Sequence, residues 1–418
     1  MGIRGLPTLI RAIAGNSAIQ TYNFSKLSGM KISVDASLII HQTVIAIRNS
    51  GKDMMNSRGE LTSHLHGLYY KILIFLQNEM IPIFVFDGAA PSIKSKTIKK
   101  RLERRNQAES KLTDLSNSEG EEYIKNFKQT FKPTKENITE AKILLDLMGI
   151  PYIVAPGEAD VICSWLAARH DSNKKAYVNG VCSDDSDMLA LGTPYLFKDM
   201  LRFMSMNKPV KVISLNKTLV KMNLTMEQFV NLCSLLGTDY CDNIKGIGPK
   251  NAYKLVSKYG TVEKVLHFIH KKETIETDSA DSDESDEKNN EQCIIEARDY
   301  FLTALKEIDN SDKFILTDDQ LKLRKFQEEE LLDFMCVKHG FDVVRIKNGI
   351  ERLKKYHKNM NVTRKNNSKV HKILKPVSEN YIFTELSPEN IDFLSSDEEI
   401  PSKKNSKAEK YIPPRKRQ

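Results

Sequence analysis

Two short apolar runs that each end in an aspartate, Lys31-Ile-Ser-Val-Asp35 and Ile81-Pro-Ile-Phe-Val-Phe-Asp87, constrain this chain more than any other feature. Both read as buried strands. The stretch between them reads as helix: first Ser37 to Arg48, then Thr62 to Asn78. In the second segment Leu65, Leu68, Tyr69, Ile72, Leu73 and Leu76 follow the 3.6-residue spacing of one buried face. Pro151-Tyr-Ile-Val-Ala155 supplies a third strand and Ala176 to Cys182 a fourth. Strand–helix alternation over several units predicts an α/β fold, a mostly parallel central sheet flanked by helices.

With 418 residues and 40% apolar content, the chain can build two to three domains, or one large domain with appendages. Sixty-three Lys and Arg against 55 Asp and Glu leave a net charge of only +8. A polyanionic partner must therefore be argued from where the charge sits. No run reaches the roughly 18 uncharged apolar residues of a membrane span; the best candidate, Leu68 to Phe86, is interrupted by Lys71, Gln77, Asn78 and Glu79. The start, Met-Gly-Ile-Arg-Gly-Leu, has no signal-peptide run and carries Leu6 where a myristoylation signal wants Ser or Thr. The six cysteines form no C-x-x-C pair, which predicts reduced thiols in a nuclear or cytoplasmic protein. A monomer with no membrane partner is expected.

Residues 92–132 are charged and helix-prone, with a weak point at Ser116-Asn-Ser-Glu-Gly120, and about this stretch the expected division is residues 1–107, a helical spacer over 108–134, and residues 135–270. An acidic insertion spans 271–292; its centre, residues 278–287, holds six acids in ten positions and reads as disordered. Helices of the core resume over 293–356. The tail from 357 carries 13 basic and 8 acidic residues and reads as a disordered arm.

Acids gather at the carboxyl ends of the expected strands. In open α/β sheets that edge is where ligands bind. Asp35 and Asp87 end the first two strands; Glu158 and Asp160 follow the third; Asp184, Asp185 and Asp187 follow the fourth, and Asp239 lies in L-L-G-T-D-Y. Singly, an Asp ending a strand is often a helix cap, and Glu158 and Asp160 complement a helix dipole. Together, seven or eight carboxylates on one edge repel each other and raise each other's pKa. Divalent cations relieve that repulsion. With no His or Cys cluster nearby the ligands are hard oxygens, which suits Mg²⁺ or Mn²⁺. Two such ions form the usual apparatus for phosphodiester hydrolysis.

Directly after Asp87, Lys94 to Arg105 places seven basic residues and one acid in twelve positions. Read as helix, this run puts Lys94 and Arg101 two turns apart on one face. Alone it would be a solvated charged helix; beside the acids it is a phosphate clamp. Arg48 and Lys71 on the two preceding helices add possible phosphate contacts. Gly246-Ile-Gly-Pro-Lys250, opening a helix over Asn251 to Tyr259, exposes free backbone N–H groups towards an anion. Such a hairpin suits a duplex backbone gripped without base reading.

These motifs in this order resemble the flap endonuclease branch of the xeroderma pigmentosum group G-type nucleases. The resemblance runs over most of residues 1 to 355: M-G-I-x-G-L, V-D-A-S, T-S-H-L-x-G, V-F-D-G, M-G-I-P-Y with A-P-x-E-A-D, S-D-D-S-D, L-L-G-T-D-Y-C and I-x-G-I-G-P-K. It implies the PIN-like 5′ nuclease fold, with a helical arch over the active site and a helix–two-turn–helix element. By resemblance, Asp35, Asp87, Glu158 and Asp160 hold one Mg²⁺ and Asp185, Asp187 and Asp239 the second, while Asp184 is not a principal ligand. Mn²⁺ is the expected substitute. Lys94 and Arg101 match the charges that press on the scissile phosphate. Glu158 and Asp239 also lie among the substrate-binding positions, with Gly2, Arg48, Lys71, Gly237, Gly246, Gly248 and Lys250.

The implied substrate is branched DNA, a 5′ flap or a nicked or gapped duplex, cleaved endonucleolytically and also degraded from 5′ ends. His41 stands where flap endonucleases usually carry a stacking Tyr; the exonuclease branch tolerates His there. Lys71 replaces a frequent Arg and Asp160 a Glu. A related 5′ exonuclease or RNA-directed nuclease is the alternative enzyme reading, and a DNA-junction binding protein the non-enzyme one. The tail has no Gln-x-x-Leu-x-x-aromatic-aromatic motif, Ile391-Asp-Phe-Leu394 being a faint echo, so recruitment by a sliding clamp is not expected. The terminal Pro-Pro-Arg-Lys-Arg-Gln resembles a nuclear import signal.

Overall fold

Every residue of the strand Ile81–Phe86 is buried, because the strand faces a hydrophobic core on each side. Ile81, Ile83 and Val85 point into one core, with Val161, Ile162 and Leu166 of the helix Ala159–Ala168. Phe84 and Phe86 point into the other, against the helices Ala36–Ile47 and Ser63–Gln77. Each such side chain taken out of water contributes about 1.5–3 kcal/mol. The two cores fix the strand's position and with it the direction of its last residues.

This arrangement comes from a computed structural model that describes residues 2–89, 91–115, 120–276 and 284–363. The sheet has seven strands: β1 (Ile19–Tyr22), β2 (Lys31–Asp35), β3 (Ile81–Phe86), β4 (Tyr152–Val154), β5 (Gly180–Cys182), β6 (Tyr195–Lys198) and β7 (Val210–Ser214). Their order is β1-β7-β6-β5-β2-β3-β4. From β6 to β4 all neighbours run parallel, with Asp35 opposite Val85 and Phe86 opposite Val154. Antiparallel pairing of β7 with β6 and β1 closes the other side. The adjacent strands β5, β2, β3 and β4 therefore deliver their carboxyl ends to one edge, and the four acid-bearing segments follow there.

The fourth strand is shorter than its sequence pattern suggests. It starts at Gly180, while Ala176 makes only an isolated bridge with His170. Gly180 lies so close to β6 that a Cβ would sit 2.5 Å from the Tyr195 carbonyl oxygen. The charged stretch over 92–132 forms two helices, Ser95–Asp114 and Glu121–Gln129, the first of which begins before residue 108 because the basic run from Lys94 is itself helical.

The expected disordered insertion over 271–292 is narrower in the structure. Residues 271–276 belong to the helix Val262–Glu276 and 284–292 to the helix Glu284–Asp309. That second helix is anchored by the buried Ile294, Ala297 and Phe301. Only 277–283 of the insertion lie outside the described residues. The final helix, Val343–Thr363, passes the expected boundary at 356; from 364 onward the tail, with its faint clamp motif and basic terminus, lies outside the described residues. Among those residues, no helix is long and apolar enough to cross a membrane. None of the six cysteines is in a disulfide.

Candidate active site

At the carboxyl edge of the sheet the expected metal ligands also hold helix starts in place. Asp35 ends β2 and caps the helix Ala36–Ile47, its Oδ1 accepting from the Leu38 N–H at 3.1 Å. Asp87, one residue past β3, accepts from the Ser37 hydroxyl at 2.8 Å and from the Ala159 N–H at 3.0 Å, so it ties two helix starts together. Asp185 accepts from the Asp187 N–H at 2.9 Å. Asp187 is buried, 4% exposed, and its Oδ1 has no hydrogen-bond partner.

Burial, and then neighbouring charge, raises several of these carboxyls. Loss of water, then the charge of Asp87, pushes the Asp35 carboxyl up to about 7. Burial, then Asp35 and Asp185, holds Asp160 well above the usual range. Burial also raises Asp185, with Asp239 adding to it, and burial followed by Asp185 and Asp239 raises Asp187 strongly. Lys94 stands among them. Burial alone would lower its pKa, but Glu158, Asp160 and Asp239 lift it above the ordinary value.

Two cations already sit on the acids. The Lys94 ammonium contacts Glu158 Oε1, and Arg101 contacts Asp239. Among the described residues no three acidic, His or Cys side chains stand in a ready-made coordination cage; Glu158 and Asp239 are paired with Lys94 and Arg101 instead. Asp184 turns away: its carboxylate accepts from Gln42 at 2.9 Å and from the Asp199 N–H at 2.7 Å. Gly2 packs against this edge. With φ +89°, a Cβ there would lie 2.4 Å from Asp185 Oδ1 and 2.6 Å from the Ser186 nitrogen, so a side chain at this position would displace Asp185.

Glu158 is held by residues that pattern reasoning did not single out. Its Oε2 accepts from the Tyr240 hydroxyl at 2.9 Å and from the Tyr300 hydroxyl at 2.5 Å. Tyr240 adjoins the expected ligand Asp239 and was within reach of the sequence; Tyr300 lies 142 residues beyond Glu158 on another helix, with no local signal.

The expected phosphate contacts divide. Gly246 and Gly248 are exposed with open space about them, and Gly248 starts the helix Pro249–Tyr259 without a side-chain cap, leaving its first N–H groups to solvent beside the exposed Lys250. Gly237, at φ +85°, bends the chain against Asn243, and its carbonyl accepts from the Arg4 N–H. Arg48 and Lys71 do not present their charges outward. Lys71 donates to the Leu201 carbonyl, and burial lowers its pKa.

Arg48, 7% exposed, spends four N–H donors inside the protein. Two go to Asp53 at 2.8 Å each, one to the Phe127 carbonyl at 2.7 Å and one to the Thr130 hydroxyl at 3.0 Å. Its guanidinium also lies 4.2 Å from the Phe127 ring centroid. In this structure Arg48 ties the second spacer helix to the core. Near it, His41 is tilted 40° to Phe131 at 5.9 Å, and burial, then Arg101 and Arg48, lowers its pKa.

That tie has a measurable consequence. The Arg48 and Asp53 side chains are 9% and 8% exposed. Arg48→Ala should cost about 3–5 kcal/mol in denaturant unfolding, because it strands a buried carboxylate. The double variant Arg48→Ala/Asp53→Ala should lose less than Arg48→Ala alone; a larger loss would show that the pair is not the source.

Comparison with known proteins agrees with this geometry. The XPG N-terminal domain matches residues 1–108 and the XPG I-region residues 149–239. Flap endonuclease 1 of Vanderwaltozyma polyspora is 38% identical over 356 residues, which is 85% of this chain and 88% of that protein. The solved flap endonuclease-1 of Methanococcus jannaschii superimposes with a TM-score of 0.56 at 26% identity, covering 82% of this chain and 96% of its own. The Holliday junction-resolving enzyme GEN1, solved with product DNA, Mg²⁺ and Mn²⁺ ions, shares the fold at a TM-score of 0.51 and 16% identity over 84% of this chain and 77% of its own. The acid-lined sheet edge, the basic helix above it and these likenesses place the chain in the XPG nuclease family, in its flap endonuclease branch.

Proposed function

We propose that this protein is a Mg²⁺-dependent, structure-specific nuclease that hydrolyses DNA phosphodiesters where a single-stranded 5′ flap joins a duplex, and that it also degrades 5′ ends. The observation that carries the proposal is the gathering of Asp35, Asp87, Glu158, Asp160, Asp185 and Asp187 beyond the ends of parallel strands and of Asp239 beyond the helix Met226–Leu235, with Lys94 in their midst.

The residues fit hard divalent cations. All donors are carboxylate oxygens, burial and then neighbouring carboxylates drive up the pKa values of Asp35, Asp160, Asp185 and Asp187, and a buried oxygen of Asp187 lacks any partner. Asp35, Asp87, Glu158 and Asp160 would hold one Mg²⁺ and Asp185, Asp187 and Asp239 the other, with Mn²⁺ as substitute. Bound there, the ions would lower the pKa of the attacking water and neutralise the charge gathering on the leaving oxygen.

The chain's own groups do the rest. Lys94 and Arg101, released from Glu158 and Asp239, supply positive charge to the scissile phosphate. The free N–H groups at Gly248 and the Lys250 ammonium grip duplex phosphates without reading bases, so the substrate is chosen by junction shape. The helices Ser95–Asp114 and Glu121–Gln129 form the arch that admits a single strand, and Arg48 anchors its second leg. His41 offers a smaller stacking face than Tyr, which favours 5′ exonuclease action as a second reading.

Cleavage of a double-flap DNA, a nicked duplex, a single-stranded DNA and a single-stranded RNA, with and without Mg²⁺, tests the proposal. The flap should be cut fastest and only with the cation. A preference for the nick would favour the exonuclease reading, and cutting of RNA alone would end both.

Stability gives a second, activity-free test. The folded protein holds a proton on Asp35 up to about pH 7, whereas an unfolded Asp releases it near 3.8. Between those values the folded state binds more protons, so the metal-free protein loses stability as pH rises through that window. Cations bind only the ionised acids. The Tm gain on adding Mg²⁺ should therefore be several degrees at pH 8 and close to zero at pH 5.5. An equal gain at both values would mean that the ion binds elsewhere.

A further inference from the structure

We infer that Tyr300 is a positioning residue of the active site, fixing which oxygen of Glu158 faces the reaction. The inference rests on Glu158 acting as a metal ligand. Glu158 is 8% exposed and sits at the start of the helix Ala159–Ala168, after the turn Ala155-Pro-Gly157. Its side chain has freedom to rotate about three bonds, and nothing in that turn fixes its carboxylate. The clamp comes from two phenols. Both the Tyr240 and Tyr300 hydroxyls donate to the same atom, Oε2, at 2.9 and 2.5 Å. An oxygen with two lone pairs is filled by two donors. Oε1 alone remains, and it carries a cation already, the Lys94 ammonium.

The clamp is rigid because its own parts are packed. The Tyr240 and Tyr300 rings tilt against each other at 4.9 Å between centroids, and Phe301 stands edge-on to Tyr240 at 5.3 Å. Lys94 lies over the Tyr240 ring at 5.1 Å. Tyr300 belongs to the helix Glu284–Asp309, which begins within the acidic run, and that helix is seated by the buried Ile294, Ala297 and Phe301. A helix outside the two XPG-matched regions thus reaches into the catalytic edge with one hydroxyl. Hydrogen bonds to the free oxygen of a ligating carboxylate orient it, and their loss typically weakens metal binding 10–100-fold.

Binding of Mn²⁺ alone, read by electron paramagnetic resonance on the full-length, DNA-free protein, tests this. Tyr300→Phe removes only the hydroxyl and keeps the ring packing. It should weaken binding at one of the sites by about tenfold, and Tyr300→Leu should do no worse in affinity while costing more in Tm. In a Glu158→Gln background, Tyr300→Phe should add nothing. Unchanged Mn²⁺ affinity in Tyr300→Phe, with affinity lost in Glu158→Gln, would overturn the role of Tyr300 and leave the metal reading standing. Unchanged affinity in Glu158→Gln would remove the ligand itself and the inference with it.

Discussion

Asp187→Asn should abolish cleavage and at the same time make the DNA-free protein more stable. The two effects have one cause. Asp187 is buried with an unpartnered oxygen, and burial followed by the charges of Asp185 and Asp239 raises its pKa strongly. Without a divalent cation its ionised form is a liability to the fold, and the isosteric amide removes the charge without leaving a cavity. Relief of roughly 1 kcal/mol would raise Tm by about 2 °C in a domain of this size. Catalysis moves the other way, because a hard cation loses an anionic ligand. Single-turnover cleavage should fall about a thousandfold or more, the upper end of what one preorganised electrostatic group contributes. Binding of flap DNA should persist or tighten, since one negative charge facing a polyanion has gone. Retained cleavage, or a clear drop in Tm, would remove Asp187 from the proposed site.

What was legible in the chain was the part written in contiguous residues. β2 and β3 stand out because each is a short, mainly apolar run closed by an acid, Asp35 capping the helix that follows and Asp87 tying two helix starts. β6 and β7 were not legible: Tyr195–Lys198 is four residues long, and Val210–Ser214 is an antiparallel partner reached only through the short helix Met200–Met206. Long side chains were the weakest point. Arg48 and Lys71 carry charges suited to phosphate, but their direction is set by Asp53, Phe127 and Leu201, and for Phe127 and Leu201 the separation is 79 and 130 residues. Tyr300 gave no signal because its meaning lies wholly in Glu158, half a domain away. The placing of acids at strand ends is thus readable from spacing, whereas the direction in which a long side chain turns is not.

Lys94→Met should separate two events that the same ammonium now joins. In the DNA-free protein Lys94 neutralises Glu158 and lies within the field of Asp35, Asp160, Asp185, Asp187 and Asp239. It therefore competes with any divalent cation for the same carboxylates. Removing it should strengthen Mn²⁺ binding, by a fewfold or more, while the long apolar side chain of Met keeps the contact with the Tyr240 ring. During reaction the requirement reverses. The phosphate gains negative charge in the transition state, and a cation held on the basic helix next to it stabilises that charge more than it stabilises the ground state. Single-turnover cleavage by Lys94→Met at saturating Mg²⁺ should accordingly slow by about two orders of magnitude. Lys94→Arg should recover only part of the rate, since its wide planar fork does not reproduce a compact ammonium wedged between Glu158 and an aromatic face. A variant that binds metal better yet cuts more slowly would fix Lys94 as a charge that changes partners between the resting and reacting states. Slower cutting with weaker metal binding would instead assign it to holding the carboxylates in place.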